Sequence, residues 1–141
     1  MARVLIVDDD ADFLEVTAQL LQAVGHETQV ASDGVDALRI LSGEWRPDVV
    51  LLDMFMPNMD GFETIVAIRK ASADVKIIAM SGEWGRPDDR GEAVEVTDQA
   101  RALGADAALC KPFDRQQLRE TIEAVTQPGS DPGDHGVMTP P

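Results

Sequence analysis

The sequence has little cysteine, few basic residues and no long apolar run. Its single cysteine, Cys110, excludes an intramolecular disulfide. No group of Cys and His has the spacing of a zinc site. Only 12 Lys and Arg stand against 26 Asp and Glu, a formal charge of -14. A surface of that sign repels phosphate backbones and anionic lipid, so neither nucleic acid nor membrane is expected as a direct partner. Proteins and cations are. No stretch approaches the ~18 apolar residues of a membrane span. The run Val4–Val7, ended by Asp8-Asp9-Asp10, is too short for a secretory leader. The expected location is the cytoplasm.

What is present suits one globular domain. Apolar residues make up 44% of the 141 positions and charged residues 27%, enough for a single core. Three apolar, β-branched runs do not alternate with polar residues: Val4–Val7, Asp48–Asp53 and Val75–Met80. Such runs read as strands of a parallel sheet buried on both faces. Thr28–Ala31 and Ala107–Cys110 are weaker strand candidates. Between them lie helix-period segments. Phe13, Val16, Leu20, Leu21 and Val24 share a face that stops at Gly25. Val35, Leu38 and Leu41 follow, ending near Gly43; then come Phe62, Ile65, Val66 and Ile68. Ala93, Val94, Val96, Ala100 and Leu103 end at Gly104, and Leu118, Ile122 and Val125 follow Asp114, a suitable N-cap. Five βα units in succession predict an α/β fold, a doubly wound five-stranded parallel sheet with five helices. The domain is expected over 1–127. Residues 128–141, rich in Pro, Gly and Asp, are expected to form a disordered tail and not an output domain.

In such sheets ligands bind beyond the carboxyl ends of the strands. Asp8-Asp9-Asp10, Asp53, Ser81 and Lys111 end four of the strands. Taken singly, the acidic triplet reads as a turn or helix cap, Asp53 as a strand terminator, Ser81 as a turn residue and Lys111 as a surface lysine. Together they place carboxylates, a hydroxyl and an ammonium on one edge. Carboxylates a few Å apart repel by about 4 kcal/mol per pair at an effective dielectric near 20, so the cluster calls for a cation. An oxygen-only site with room for water suits Mg²⁺. A carboxylate can also attack phosphorus to form an acyl phosphate.

The segments VLIVDDD, VVLLDMFMPNMDGFE, IIAMSG and CKPF resemble the response-regulator receiver family of two-component signalling, from Arg3 to about Thr126. The resemblance implies a flavodoxin-like (βα)5 fold and a single-domain, chemotaxis-regulator-like protein. It implies that Asp53 is the phosphoacceptor. Asp8 and Asp9, with Asp53 and the backbone carbonyl of Phe55, would hold Mg²⁺. Ser81 and Lys111 would contact the phosphoryl group, and the Lys111–Pro112 bond would be cis. The implied donor is a sensor histidine kinase, a histidine phosphotransfer protein or a small acyl phosphate. The output would pass to an unknown downstream protein through a repacked fourth-helix, fifth-strand and fifth-helix face. Such a protein is no enzyme beyond its own phosphorylation and dephosphorylation.

The chain departs from the family pattern in two places. Ala108 stands three residues before the lysine, where the family commonly has the aromatic that rotates on activation. Ser81 and Lys111 are 30 positions apart, a longer spacing than the family's, and the excess falls in Glu83–Glu92, a loop that carries Trp84. The positions that tune water attack in the family are Phe55 and Glu83 here. An alternative reading is a pseudo-receiver, an interaction module that does not use phosphorylation. A phosphatase with an aspartate nucleophile would want a second acid where Phe55 stands. A flavin protein would want a Ser/Thr/Gly-rich loop where Asp8–Asp10 stand. The remaining singletons read as structure: His26 on the surface, Met56 in packing with Met54 and Met59 in loops, and Cys110 buried and inert. If the Trp84 loop is part of a partner surface or a lid, Trp84→Ala weakens partner binding; unchanged binding and unchanged phosphoryl lifetime would make it a mere connection.

Overall fold

The computed structural model describes residues 1–71, 74–81 and 92–127. Glu83, Trp84 and the segment 128–141 lie outside the described residues. Five strands alternate with five helices: β1 (Arg3–Val7), α1 (Ala11–Ala23), β2 (Glu27–Ala31), α2 (Gly34–Leu41), β3 (Val49–Asp53), α3 (Gly61–Ala71), β4 (Lys76–Ser81), α4 (Glu92–Leu103), β5 (Ala107–Cys110) and α5 (Arg115–Thr126). The strands form one parallel sheet in the order β2-β1-β3-β4-β5. The doubly wound architecture is as the apolar runs predicted.

Successive side chains of a strand face opposite sides of the sheet, and here both sides are core. Leu5, Val7, Val50, Leu52, Ile77 and Ala79 pack with Ala37, Leu41, Ile65, Ile68 and Ala100 of α2, α3 and α4. Val4, Ile6, Val49, Leu51, Ile78 and Met80 pack with Leu14, Leu21, Leu118, Ile122 and Val125 of α1 and α5. Double coverage explains why the central strands show no polar alternation. The edge strand β2 is less covered and exposes Glu27, Gln29 and Val30.

The buried face of α5 is the one read in the sequence, Leu118, Ile122 and Val125, whereas those of α1 and α2 differ. In α1 the buried residues are Leu14, Thr17 and Leu21, while Val16 is 61% exposed and Val24 55%. In α2, Gly34, Ala37 and Leu41 are buried and Val35 is 60% exposed. His26 is half-buried, its Nδ1 accepting a hydrogen bond from the Ala2 N–H at 2.9 Å. The predicted cap of α5 is present: Asp114 accepts from the Gln117 N–H, and the Gln117 side chain accepts from the Asp114 N–H, a reciprocal capping box.

At the amino end of β4 and β5 lies an ion pair with no periodic signature. The buried Asp106 accepts hydrogen bonds from Arg69 Nη2 and the Ile77 N–H, both at 2.8 Å. Arg69 also donates to the carbonyls of Val75 and Gly104. This cluster ties α3 to the roots of both strands. Removing one partner of a buried pair strands the other's charge, at a cost of about 3–5 kcal/mol. Asp106→Ala should lower the urea-derived unfolding free energy by that amount; a loss below about 1 kcal/mol would mean the pair behaves as a surface contact.

Candidate functional site

The strand order reverses between β1 and β3, the place where open α/β sheets leave a crevice. Val7 pairs with Leu52 there, so Asp8, just past β1, and Asp53, the last residue of β3, emerge side by side. Asp8 and Asp53 are buried and Asp9 is exposed. One carboxylate oxygen from each of the three lies within 4.8 Å of the others. Ser81 ends β4 and is buried. Its carbonyl accepts the Lys111 N–H at 2.6 Å, which draws the residue after β5 to the same edge. The Lys111 ammonium is ion-paired with Asp8 Oδ2 and stands 3.9 Å from Asp53 Oδ2. The Lys111–Pro112 bond is cis. Asp8, Asp9, Asp53 and Lys111 thus come together at one edge, with Ser81 at the neighbouring strand end.

Local hydrogen bonds hold the acids apart and fix their roles. Asp8 Oδ1 accepts the Asp10 N–H at 2.9 Å. Asp10 itself turns away as the N-cap of α1, accepting from the N–H groups of Asp12 and Phe13. Asp53 Oδ1 accepts the Phe55 N–H at 3.2 Å. Burial, reinforced by the Asp8 carboxylate, pushes the Asp53 carboxyl up to about 6; Lys111 and the Phe55 N–H pull it down, and Asp9 adds a small upward push.

The connection from β3 to α3 is built around close approaches. A Cβ on Gly61 would lie 2.4 Å from Met54 Cα and 2.7 Å from the Asp53 carbonyl oxygen, so no side chain fits. Asp60 and Glu63 cap each other's backbone at the start of α3, and Asn58 takes a positive φ of 67°. Met56 packs as expected, and Met54, a residue of the same connection, is fully buried as well. Phe55 is partly exposed and meets Phe62 edge-on at 6.5 Å.

Sequence reasoning missed two features here. Phe13, read as core, is half-buried, with Lys111 Nζ 4.1 Å from its ring centroid; the Asp10 cap signal was the clue to where that ring would stand. Cys110, read as buried, is exposed, as the last residue of the edge strand β5. Ala108 is half-buried in β5.

The response regulator receiver domain family matches residues 4–123. The chain belongs to this family. The receiver is 33% identical to the transcriptional regulatory protein CpxR homolog of Haemophilus influenzae, over 96% of the chain and 55% of that protein. It is 40% identical to the probable transcriptional regulator ycf27 of Guillardia theta, over 87% and 44%. It therefore spans about half the length of these curated relatives. Among solved structures, the chemotaxis protein CheY4 of Vibrio cholerae superposes with a TM-score of 0.75 at 31% identity, covering 87% of the receiver and 97% of that chain. A receiver domain from Clostridium thermocellum gives 0.77 at 28% identity, covering 87% and 92%.

The raised Asp53 pKa has a definite sign for stability. The folded state binds the proton more tightly than the unfolded chain, so the stabilisation is complete below the ordinary value of 3.8 and is lost as pH rises through about 6. In chelator, Asp53→Asn should be more stable than wild type by about 1–3 kcal/mol at pH 7, with the difference closing toward pH 4. A difference constant across that range would contradict the raised value.

Proposed function

We propose that the protein is a phosphoacceptor that signals by presenting an altered surface to another protein. The observation that supports this most directly is the position of the Lys111 ammonium, paired with Asp8 and 3.9 Å from Asp53. A cation there can follow negative charge arriving on Asp53. An Asp53 oxygen attacks phosphorus, an acyl phosphate bond forms, and the bond to the donor nitrogen or oxygen breaks. Lys111 takes up charge on the transferred group, and Ser81 supplies a hydroxyl at the neighbouring strand end.

The donor set suits Mg²⁺. Three carboxylate oxygens within 4.8 Å, two of them from buried residues, form a hard oxygen site. Asp8, Asp9 and Asp53 would hold the ion, with the Phe55 carbonyl as the further ligand the family uses. Bound there, it would neutralise charge that these carboxylates otherwise impose on one another.

The proposed donor is a sensor histidine kinase or a histidine phosphotransfer protein, and the output partner is a protein. The relatives named as transcriptional regulators are about twice this chain's length, so regulation of transcription would call on sequence beyond the receiver. The receiver's charge of -14 disfavours direct contact with nucleic acid or anionic membrane. Among the described residues no helix is long and apolar enough to cross a membrane, and the cytoplasm is the proposed location. The protein turns over no substrate beyond its own acyl phosphate. With Ala108 in place of the usual aromatic, switching of the α4–β5–α5 face would proceed without a rotating ring.

Incubation with Mg²⁺ and a small phosphodonor should give a phosphoprotein of one added phosphoryl in wild type, none in Asp53→Asn, and slower labelling in Lys111→Ala. Mg²⁺ alone should raise the melting temperature of wild type more than that of Asp53→Asn. An unlabelled wild type, with an active donor, would leave the pseudo-receiver reading in its place.

A further inference from the structure

We propose that Phe13 is a positioning residue for Lys111, holding its ammonium at the phosphoryl site through the face of the ring. The inference rests on the phosphoacceptor reading and names a residue of that site which its strand-end chemistry does not include.

A lysine is a poor fixed charge by itself. Its ammonium rides on four rotatable methylene bonds, and immobilising that stem costs rotamer entropy. Yet an electrostatic partner for a transferring group contributes most when it is already in place. The backbone of Lys111 is fixed by its N–H bond to Ser81, which says nothing about the far end of the side chain. That end lies 3.9 Å from Asp53 Oδ2, and the Asp8 carboxylate and the Phe13 ring, whose centroid lies 4.1 Å from Nζ, help to hold it there. Such a distance is well inside cation–π range.

The ring is itself held from two sides. Asp10 caps α1 and accepts the Phe13 N–H at 3.2 Å, so the first turn that carries the ring is anchored two residues from Asp8. Phe113 meets Phe13 edge to face, with centroids 5.9 Å apart and planes at 89°, an arrangement favoured by the ring quadrupoles. The ammonium of Lys111 lies over the face of this braced ring. Phe113 lies just beyond Pro112, so the ring that supports Phe13 comes from the same connection as the lysine it serves.

The division of labour follows from charge. Asp8 attracts Lys111 strongly, but Asp8 also belongs to the carboxylate cluster that would hold a cation. A cation seated there competes for Asp8's charge. The ring carries no net charge, so its hold on Lys111 persists when Asp8 is engaged. Phe13 then keeps the ammonium within reach of Asp53 during transfer.

The test compares wild type, Phe13→Leu, Phe13→Trp and Asp53→Asn in the full chain with Mg²⁺ and acetyl phosphate. Leucine keeps apolar packing but has no ring face. A cation–π contact in the lower part of its range corresponds to about 2- to 10-fold in rate. Phe13→Leu should therefore slow phosphorylation by that factor at an unchanged melting temperature, and Phe13→Trp should restore it. Independently, the Lys111 ε-methylene protons should show an upfield ring-current shift in wild type that vanishes in Phe13→Leu. An unchanged rate in Phe13→Leu, or methylene shifts that do not respond to it, would overturn the proposal. No label on wild type would sink the phosphoacceptor reading and this role with it. An intact ring-current shift would then place the failure in the chemistry and not in the geometry.

Discussion

Three carboxylates converge where the winding of the sheet reverses, and their mutual repulsion is the constraint around which this edge is arranged. Nothing in the core asks for them. Burial and the neighbouring Asp8 charge raise the cost of ionising Asp53, so the fold holds a group it would prefer to protonate. The two buried acids are separately restrained: Asp8 by the Asp10 N–H, Asp53 by the Phe55 N–H, and both by the nearby ammonium of Lys111. A protein interior carries such a load when chemistry requires it. The surrounding strands supply the stiffness, since all of β3 and most of β1 and β4 are buried on both faces.

Much of this was legible in the residues, for reasons that also explain what was not. Runs such as Val49–Leu52 have one interpretation once alternation is absent, and the strand order follows from chain reversals that allow few topologies. Site residues at strand ends inherit that legibility, which is why Asp8, Asp53, Ser81 and Lys111 came together as expected. The helix faces were less determinate. Phe13, Val16, Leu20, Leu21 and Val24 satisfy a helical period as well as Leu14, Thr17 and Leu21 do, with Leu21 common to both. The sheet selects the second set, burying a threonine and exposing two valines. A period fixes the spacing of a face but leaves its phase to the neighbours. The pair Arg69–Asp106 joins positions 37 apart in sequence, and no local pattern announces it.

The two ends of the sheet handle charge differently. At the amino end, one arginine and one aspartate saturate each other with backbone partners included, and the result is structural. At the carboxyl end, among the described residues, three acids cluster and Lys111 pairs with two of them, and the imbalance is what makes the edge receptive to a cation and to a phosphoryl group. The same residue chemistry thus yields a fastener in one place and a reactive centre in the other. The difference lies in stoichiometry.

Gly61 gives the motif around Asp53 a second meaning. Its absent side chain answers to the backbone of Met54 and Asp53, and so to the shape of the β3–α3 connection alone. The acids and the lysine answer to chemistry, and by the Asp53 burden they are held against stability. The signature is therefore a composite of two records kept under different pressures. In a lineage freed from phosphoryl transfer, the glycine would persist as long as the fold did, while the charged residues would drift toward apolar or amide replacements. A sequence with the glycine intact and the acids gone would be the fossil of a switch, recognisable by shape and silent in function.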